Sequence, residues 1–257
     1  MVEVERLKRV LQSLPGIELR KAWLRDLLHG LSKHERATLL NALCEDNERA
    51  EALAREAVLC LALLLASLGE CDLLDGLRAE AEARHLLSLA RLVRRAPPPT
   101  VSDRPAHELR VPDYGAGREL TVGERKSLAR SPHRRAFDKL LGDPHPLVIR
   151  QLLGNPRLTE DDVVRMTARK PARLEVLEAI AAQGQWLSRP RVRMSMIFNP
   201  GAPPAIAMPL LAVCSRCELL EVLRHSESSP HLRSVARELL ERLPPLPECD
   251  ALAPTLQ

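Results

Sequence analysis

Apolar residues recur three and four positions apart through the first part of the chain, with charged residues between them. This spacing places the apolar side chains on one face of an α-helix. It predicts helices over residues 2–13 and 18–30, another within SKHERATLLNAL, a fourth from an N-cap at Asn47 to about Ser67, and a fifth from about Cys71. Ser32 and Glu35 have the spacing of a capping box at the start of the third helix. Together these helices predict a compact bundle over residues 1–95.

The longest apolar run, AVLCLALLLASLG at residues 57–69, predicts a buried core helix. It has little more than half of the roughly 20 residues that a membrane-spanning helix needs. The first residues, MVEVERLKRVLQSLPG, are charged and lack the apolar core of a secretory signal. We therefore predict no membrane span and a cytoplasmic location.

A proline-rich segment, residues 96–120, interrupts the helical pattern. Three consecutive prolines favour extended backbone, and further prolines and glycines discourage regular structure. The segment predicts a linker between two domains. It also contains the only tyrosine, Tyr114, and the helical pattern resumes with Thr121 as a cap, so part of the linker can pack on the following domain.

From residue 121 the helical pattern returns in short pieces that end at prolines. Residues 145–164 and 189–208 align without a gap at a spacing of 44, with Asn155-Pro156 over Asn199-Pro200. Helices of this length cannot bury an apolar face alone, so neighbouring units must stack. We predict an α-helical repeat (solenoid) domain over residues 121–245, followed by a flexible tail over residues 246–257.

The segments DPHPLVIRQLLGNPRLTEDDVV and SRPRVRMSMIFNPGAPPAIAMPLL carry a family resemblance. They resemble the leucine-rich repeat variant and, more broadly, the HEAT-like α-helical repeats of bacterial proteins. Asp143, Pro144, Val148 and Arg150 match the first helix of such a unit. The resemblance covers about residues 143–243. It implies an all-α fold in which the N-terminal helical bundle is followed by a short α-solenoid.

The six cysteines do not indicate a cofactor. One group of the leucine-rich repeat variant carries an iron–sulfur centre on clustered N-terminal cysteines, and that clustering is missing here. Cys44 and Cys60 lie in apolar surroundings and are predicted to be small core residues. Cys214 and Cys217 form the only CxxC pair, and a structural zinc site would need further ligands at metal spacing. We predict two helical thiols there, with no metal and no cofactor.

Composition and charge refine this picture. Aromatic residues make up only 2% of the chain, which favours helices over strands. Residues 1–95 are electrically balanced, whereas residues 121–245 carry 20 Lys+Arg against 13 Asp+Glu. A basic surface of this kind can meet nucleic acid, anionic lipid or an acidic protein.

No catalytic motif stands out. The sequence contains no Gly-rich phosphate loop, HExxH or GxSxG motif. Glu160, Asp161 and Asp162 lie where a helix N-terminus favours negative charge, which accounts for them without a metal or a general base. The candidate binding surface consists of Arg150, Arg165, Arg169, Arg173, Trp186, Arg189 and Arg193. A solvated surface with carboxylate pairs is the simpler interpretation of the same residues.

The leading functional prediction is a non-enzymatic protein–protein interaction scaffold or adaptor that uses an α-solenoid surface. The alternative is a nucleic-acid-binding module that contacts phosphates through the basic repeats. Few aromatic residues are present to stack on bases. A DNA glycosylase-type enzyme, as found among HEAT-like proteins, is a third alternative, but it would need an indole and a carboxylate in the basic groove, and only Trp186 is near.

Overall fold

The computed structural model describes residues 4–68, 72–95, 111–170, 173–225 and 228–245. Within them the chain forms sixteen α-helices and no β-strand, so the fold is all-α, as predicted. The chain divides into two compact units. Unit 1 comprises Met1–Pro97 and Pro204–Gln257, and unit 2 comprises Pro98–Pro203.

The helices are numbered in chain order. The N-terminal part of unit 1 contains α1 (Val4–Ser13), α2 (Ile17–Gly30), α3 (Lys33–Glu48), α4 (Ala52–Leu68), α5 (Asp72–Ala83) and α6 (Leu87–Leu92). Unit 2 contains α7 (Val122–Arg130), α8 (Phe137–Leu140), α9 (Pro146–Leu153), α10 (Glu160–Ala168), α11 (Leu174–Ala181), α12 (Gly184–Leu187) and α13 (Pro190–Ile197). The chain then returns to unit 1 with α14 (Pro204–Leu211), α15 (Arg216–Arg224) and α16 (Pro230–Arg242).

Helix α4 forms the centre of unit 1. The four consecutive residues 61–64 are fully buried, because α1, α2, α3 and α14 pack around this helix. A helix that is apolar on every side must be enclosed by others. The apolar run at residues 57–69 is thus a core helix in its described part, as predicted. No helix in the described residues is long and apolar enough to span a membrane.

The two units do not follow the predicted boundaries. Residues 204–245 were predicted to continue the repeats, but they pack with the N-terminal helices instead. The reason lies in α14, whose sequence PAIAMPLL contains no charged residue and packs on α4. Helices α4 and α14 are both strongly apolar and pack on each other, so the C-terminal segment belongs to unit 1.

Two helix ends in unit 1 differ from the predictions. Asn47 does not cap α4, because α3 continues through it, and the turn before α4 forms at Ala50 with φ 63°. The predicted fifth helix is divided into α5 and α6 at His85, where φ is 53°. Glycine usually marks such left-handed positions. Neither residue is glycine, so the sequence carries no clear signal of these turns.

Three helices of unit 2 form a first row, in which α9 packs between α7 and α11. Asn155, just after α9, donates from its side-chain nitrogen to the carbonyls of Ala129 (2.7 Å) and Ser131 (2.9 Å) at the end of α7. The C-terminal ends of α7 and α9 therefore lie side by side, and the two helices run parallel.

A second row, α10 and α13, has the same corner. Asn199, just after α13, donates to the carbonyls of Thr167 (2.5 Å) and Arg169 (3.2 Å) at the end of α10. The Oδ1 of each asparagine accepts a bond from the backbone N–H two residues later, at 2.9 Å in both cases. The two Asn-Pro breaks that align in the sequence thus make the same set of contacts.

Part of the predicted linker packs on the helices of unit 2. The Tyr114 hydroxyl donates to the buried carboxylate of Asp143 (2.9 Å), which also accepts two bonds from Arg125 Nη1 (2.7 and 2.6 Å). This contact involves the tyrosine singled out in the sequence. Residues 96–110 of the linker and the predicted tail, residues 246–257, lie outside the described residues.

Candidate functional site

The acidic group at the start of α10 is held by helix capping. The Thr159 hydroxyl accepts from the Asp162 N–H, and Asp162 in turn accepts from the Thr159 N–H (2.9 Å). Arg134 donates to both oxygens of Asp162 (3.0 and 2.9 Å). Burial favours the neutral acid, but the bonds from Thr159 and Arg134 outweigh it and hold the pKa of Asp162 below its ordinary value.

The other two acids of this group pair with arginines of the neighbouring helix. Glu160 lies 3.4 Å from Arg189, and Asp161 lies 2.7 Å from Arg191. Both arginines stand at the start of α13. These pairs are possible because α10 and α13 run parallel and their N-terminal ends are adjacent. The acidic group is therefore engaged in structural contacts within unit 2.

Trp186 is not part of an exposed surface, contrary to the prediction. Only 6% of it is exposed, and its indole N–H donates to the Leu153 carbonyl at the end of α9 (3.0 Å). The guanidinium of Arg189 lies 4.7 Å from the ring centroid and covers it. The hydrogen bond from Trp186 therefore connects α12 to α9 in the first row.

Arg193 is also buried rather than exposed. Only 6% of it is accessible, and Nη1 donates to the Ser188 carbonyl at 3.4 Å. It lies between the buried residues Val192 and Met194 in α13. Arg173, at the start of α11, is half-buried. Arg189, Arg191 and Arg193, which alternate along the start of α13, therefore point in different directions, as their spacing suggests.

Arg150, Arg165 and Arg169 are exposed, and none of the three makes an ion pair within the described part of the chain. Arg165 lies in the last turn of α10 and Arg169 follows that helix. The Glu160–Arg189 pair lies at the N-terminal end of α10. Nine residues separate Glu160 from Arg169, which corresponds to about 13 Å along the helix axis. The predicted residues therefore do not form one site.

The structure places two exposed leucines, which were not among the predicted binding residues, at one edge of unit 2. Leu147 and Leu174 are 43% and 47% exposed and stand at the starts of α9 and α11. These helices are neighbours, and the contact of Trp186 with the end of α9 indicates that they run parallel. The two leucines therefore lie at the same end of the first row.

Arg169 is held at that same end. Its guanidinium rests against Gly142, just before α9, where an added Cβ would lie 2.4 Å from Nη1. The missing side chain at Gly142 makes room for the arginine. We call Leu147, Leu174, Arg169 and Gly142 the leucine edge. The sequence contains a signal for the exposure of Leu147. It lies three residues before Arg150, so the two side chains share one face of α9, and that face is polar.

Unit 1 contains a small crevice that is lined by both polar and apolar residues, among them Glu48, Arg91 and Met208. Arg91 donates to both oxygens of the buried Glu48 (2.8 and 2.6 Å), and Ser88 joins this pair. Asn47 donates to the Ala212 carbonyl (2.7 Å), whereas its own buried Oδ1 has no partner. The crevice lies where α3, α6 and the C-terminal helices meet.

One cluster of carboxylates has the spacing of a metal site. Oxygens of Glu5, Asp46 and Glu51 lie within 4.8 Å of one another. The Lys8 ammonium lies among them, at 2.8, 2.6 and 2.7 Å. Burial alone would lower the pKa of Lys8. The hydrogen bonds to the three carboxylates together have a larger, opposite effect, so the pKa of Lys8 lies above its ordinary value. The chain's own cation thus neutralises this cluster.

The cysteines follow the predictions in part. Cys44, Cys60 and Cys214 are buried free thiols, and burial raises the pKa of Cys60 to about 12 and also raises that of Cys44. Such thiols are poor nucleophiles. Cys217, by contrast, is disulfide-bonded, so the predicted pair of helical thiols is wrong. Disulfides persist mainly in oxidising compartments, whereas the cytoplasm is reducing. The cytoplasmic location therefore stays a prediction.

Comparison of the sequence with protein-family models, with curated proteins and with solved structures found no match. The resemblance to the leucine-rich repeat variant and HEAT-like repeats therefore stays a prediction.

Proposed function

We propose that the chain is a non-enzymatic protein-interaction module in which unit 2 is a short stack of helical repeats. Two observations support the stack. Its helices form two rows of parallel neighbours. The asparagine corners at Asn155 and Asn199 make equivalent contacts at the spacing found in the sequence. Stacked helical repeats commonly bind proteins through an extended surface.

Unpaired arginines on unit 2 carry the proposal for an acidic protein partner. Residues 111–203 contain 16 Lys+Arg and only 10 Asp+Glu. Six exposed arginines make no ion pair in the described part of unit 2: Arg130, Arg135, Arg150, Arg157, Arg165 and Arg169. Exposed cations without partners attract acidic surfaces and increase the association rate.

A protein partner fits this surface better than single-stranded nucleic acid. Modules that bind single strands stack bases on exposed aromatic rings. In unit 2, Phe137 and Trp186 are buried, Phe198 is half-buried, and Tyr114 donates its hydroxyl to Asp143, so none of these rings is fully exposed. Contacts with a duplex need only phosphates, and their steep dependence on salt distinguishes them from a protein complex.

The test is capture of partners from native cell extract by the immobilised full chain, with and without nuclease, at low and moderate salt. The double variant Arg150→Glu with Arg165→Glu is compared with Arg224→Glu and Arg237→Glu, which make the same charge change in unit 1. We expect a stoichiometric protein that survives nuclease and is lost only with the unit 2 variant. Bound material that disappears with nuclease contradicts the proposal and favours nucleic acid.

A further inference from the structure

We propose that the leucine edge of unit 2 docks an acidic amphipathic helix whose leucines pack on Leu147 and Leu174 and whose carboxylates meet Arg169. This inference rests on the proposed function and adds the chemistry of the partner. Three properties of the edge support it: its exposed apolar side chains, its positioned cation and the distribution of charge around it.

The two leucines are not needed by the core. Helix α9 buries Val148, Ile149, Leu152 and Leu153, and Leu147 lies off this apolar stripe. Leu174 is likewise exposed at the first position of α11. Neighbouring packed helices lie about 8–10 Å apart. Leucines at i, i+4 and i+7 of a partner helix cover that span, as in other helix-in-groove complexes.

Arg169 is positioned before any partner binds. Its backbone N–H donates to Met166 (3.4 Å), its carbonyl accepts from Asn199 (3.2 Å), and its guanidinium rests against Gly142. No carboxylate in the described residues pairs with it. A guanidinium held in place loses less side-chain freedom when it binds a carboxylate, and it can bind both oxygens.

The surrounding charges orient the proposed helix. Arg150 lies on the exposed face of α9 next to Leu147, whereas Glu175 and Glu178 are exposed on α11 beyond Leu174. Lys170 and the half-buried Arg173 precede α11, so a partner's carboxylates are attracted towards α9, Arg169 and the start of α11, and are repelled only from the face of α11 beyond Leu174. The apolar contacts lie between these two regions.

The test uses the full chain and a labelled helical peptide of about 18 residues, with leucines at i, i+4 and i+7 and glutamates at the solvent positions. Binding is measured by fluorescence anisotropy. We expect Leu147→Ser and Leu174→Ser each to weaken binding at least fivefold, and Arg169→Glu about tenfold. Gly142→Ala, which displaces the Arg169 guanidinium, also weakens binding. The matched controls are Leu19→Ser, an equally exposed leucine of unit 1, and Arg224→Glu, and both bind as the unaltered chain does.

Specificity comes from two altered peptides. Replacing its glutamates by glutamine, or its leucines by serine, should each weaken binding. The inference is overturned when the unaltered chain does not bind the acidic peptide, when the glutamine peptide binds equally well, or when the edge variants bind normally. If an extract protein binds the unaltered chain and every edge variant alike, this inference fails while the proposed function stands. If no protein is captured at all, the proposed function itself fails.

Discussion

At the scale of single residues, Lys8 illustrates how unit 1 accommodates a buried charge. Its side chain is completely buried, yet its ammonium contacts three carboxylates that remain partly exposed. A buried ion pair contributes little net stability compared with apolar residues, but removing one partner is costly. The cluster connects α1 to the turn between α3 and α4.

Lys8→Met leaves three carboxylates close together without their cation. We expect a loss of about 2 kcal/mol in the free energy of unfolding at pH 7, less than for a fully buried cluster because the acids reach solvent. We also expect millimolar Ca²⁺ to raise the Tm of this variant, since oxygen clusters bind this ion. Lys21→Met is the control, because Lys21 is buried but pairs with Glu18 alone. An equal Ca²⁺ response in both variants contradicts the expectation.

Asn155 and Asn199 act at the same scale as donors to the carbonyls of a neighbouring helix end. Asn155→Asp keeps the acceptor oxygen but loses the donor. We expect it to cost about 2 kcal/mol in the free energy of unfolding, because two carbonyls lose their partner and face a carboxylate. Urea denaturation measures the loss. We expect Asn199→Asp to lower the free energy of unfolding by a similar amount. If neither substitution changes it, the two asparagines do not stabilise the stack.

At the scale of helices, the N-terminal caps are the features that the sequence predicts best. The caps predicted at Ser32 and Thr121 are confirmed, and Thr159 and Ser229 cap α10 and α16. Ser215 and Glu218 form a further capping box with the same spacing, which was not predicted. Caps depend on residues within one turn, so local sequence is enough to find them.

The cap of α10 predicts a dependence on pH. Because the folded pKa of Asp162 is lowered, its stabilising effect is present above the unfolded pKa of about 3.9 and is lost as the pH falls through the folded value. We expect Asp162→Asn to lower the free energy of unfolding by about 1–2 kcal/mol at pH 7. The difference from the unaltered chain should shrink below about pH 4. Denaturation series at several pH values test this, and a constant difference down to pH 2 contradicts it.

At the scale of the whole molecule, unit 1 is discontinuous in sequence. A chain ending at residue 203 retains α1–α6 but lacks α14, so it exposes apolar residues of α4. We expect the N-terminal helices of this truncated chain to lose cooperative unfolding and to bind a hydrophobic dye. Circular dichroism melts and dye fluorescence measure both. A sharp transition of α1–α6 without dye binding shows instead that α14 is dispensable.

The sequence predicts the helical class and most helix starts, but not which segments pack together. Pairing of α4 with α14 joins residues about 150 positions apart, and periodicity carries no information about such a contact. The candidate arginines illustrate the same limit, because Arg165 and Arg193 have similar local sequences but opposite exposure. Their environments depend on neighbouring helices, which a single sequence does not show.

The discontinuity of unit 1 also has a consequence for synthesis. On the ribosome, α4 emerges long before α14, and residues 69–203 must be translated in between. At about 5–20 residues per second this interval lasts roughly 7–27 s. Throughout it the nascent chain displays one of its most apolar helices without its final cover. We therefore expect the N-terminal helices to depend on chaperones or on transient collapse until residues 204–211 have been synthesised.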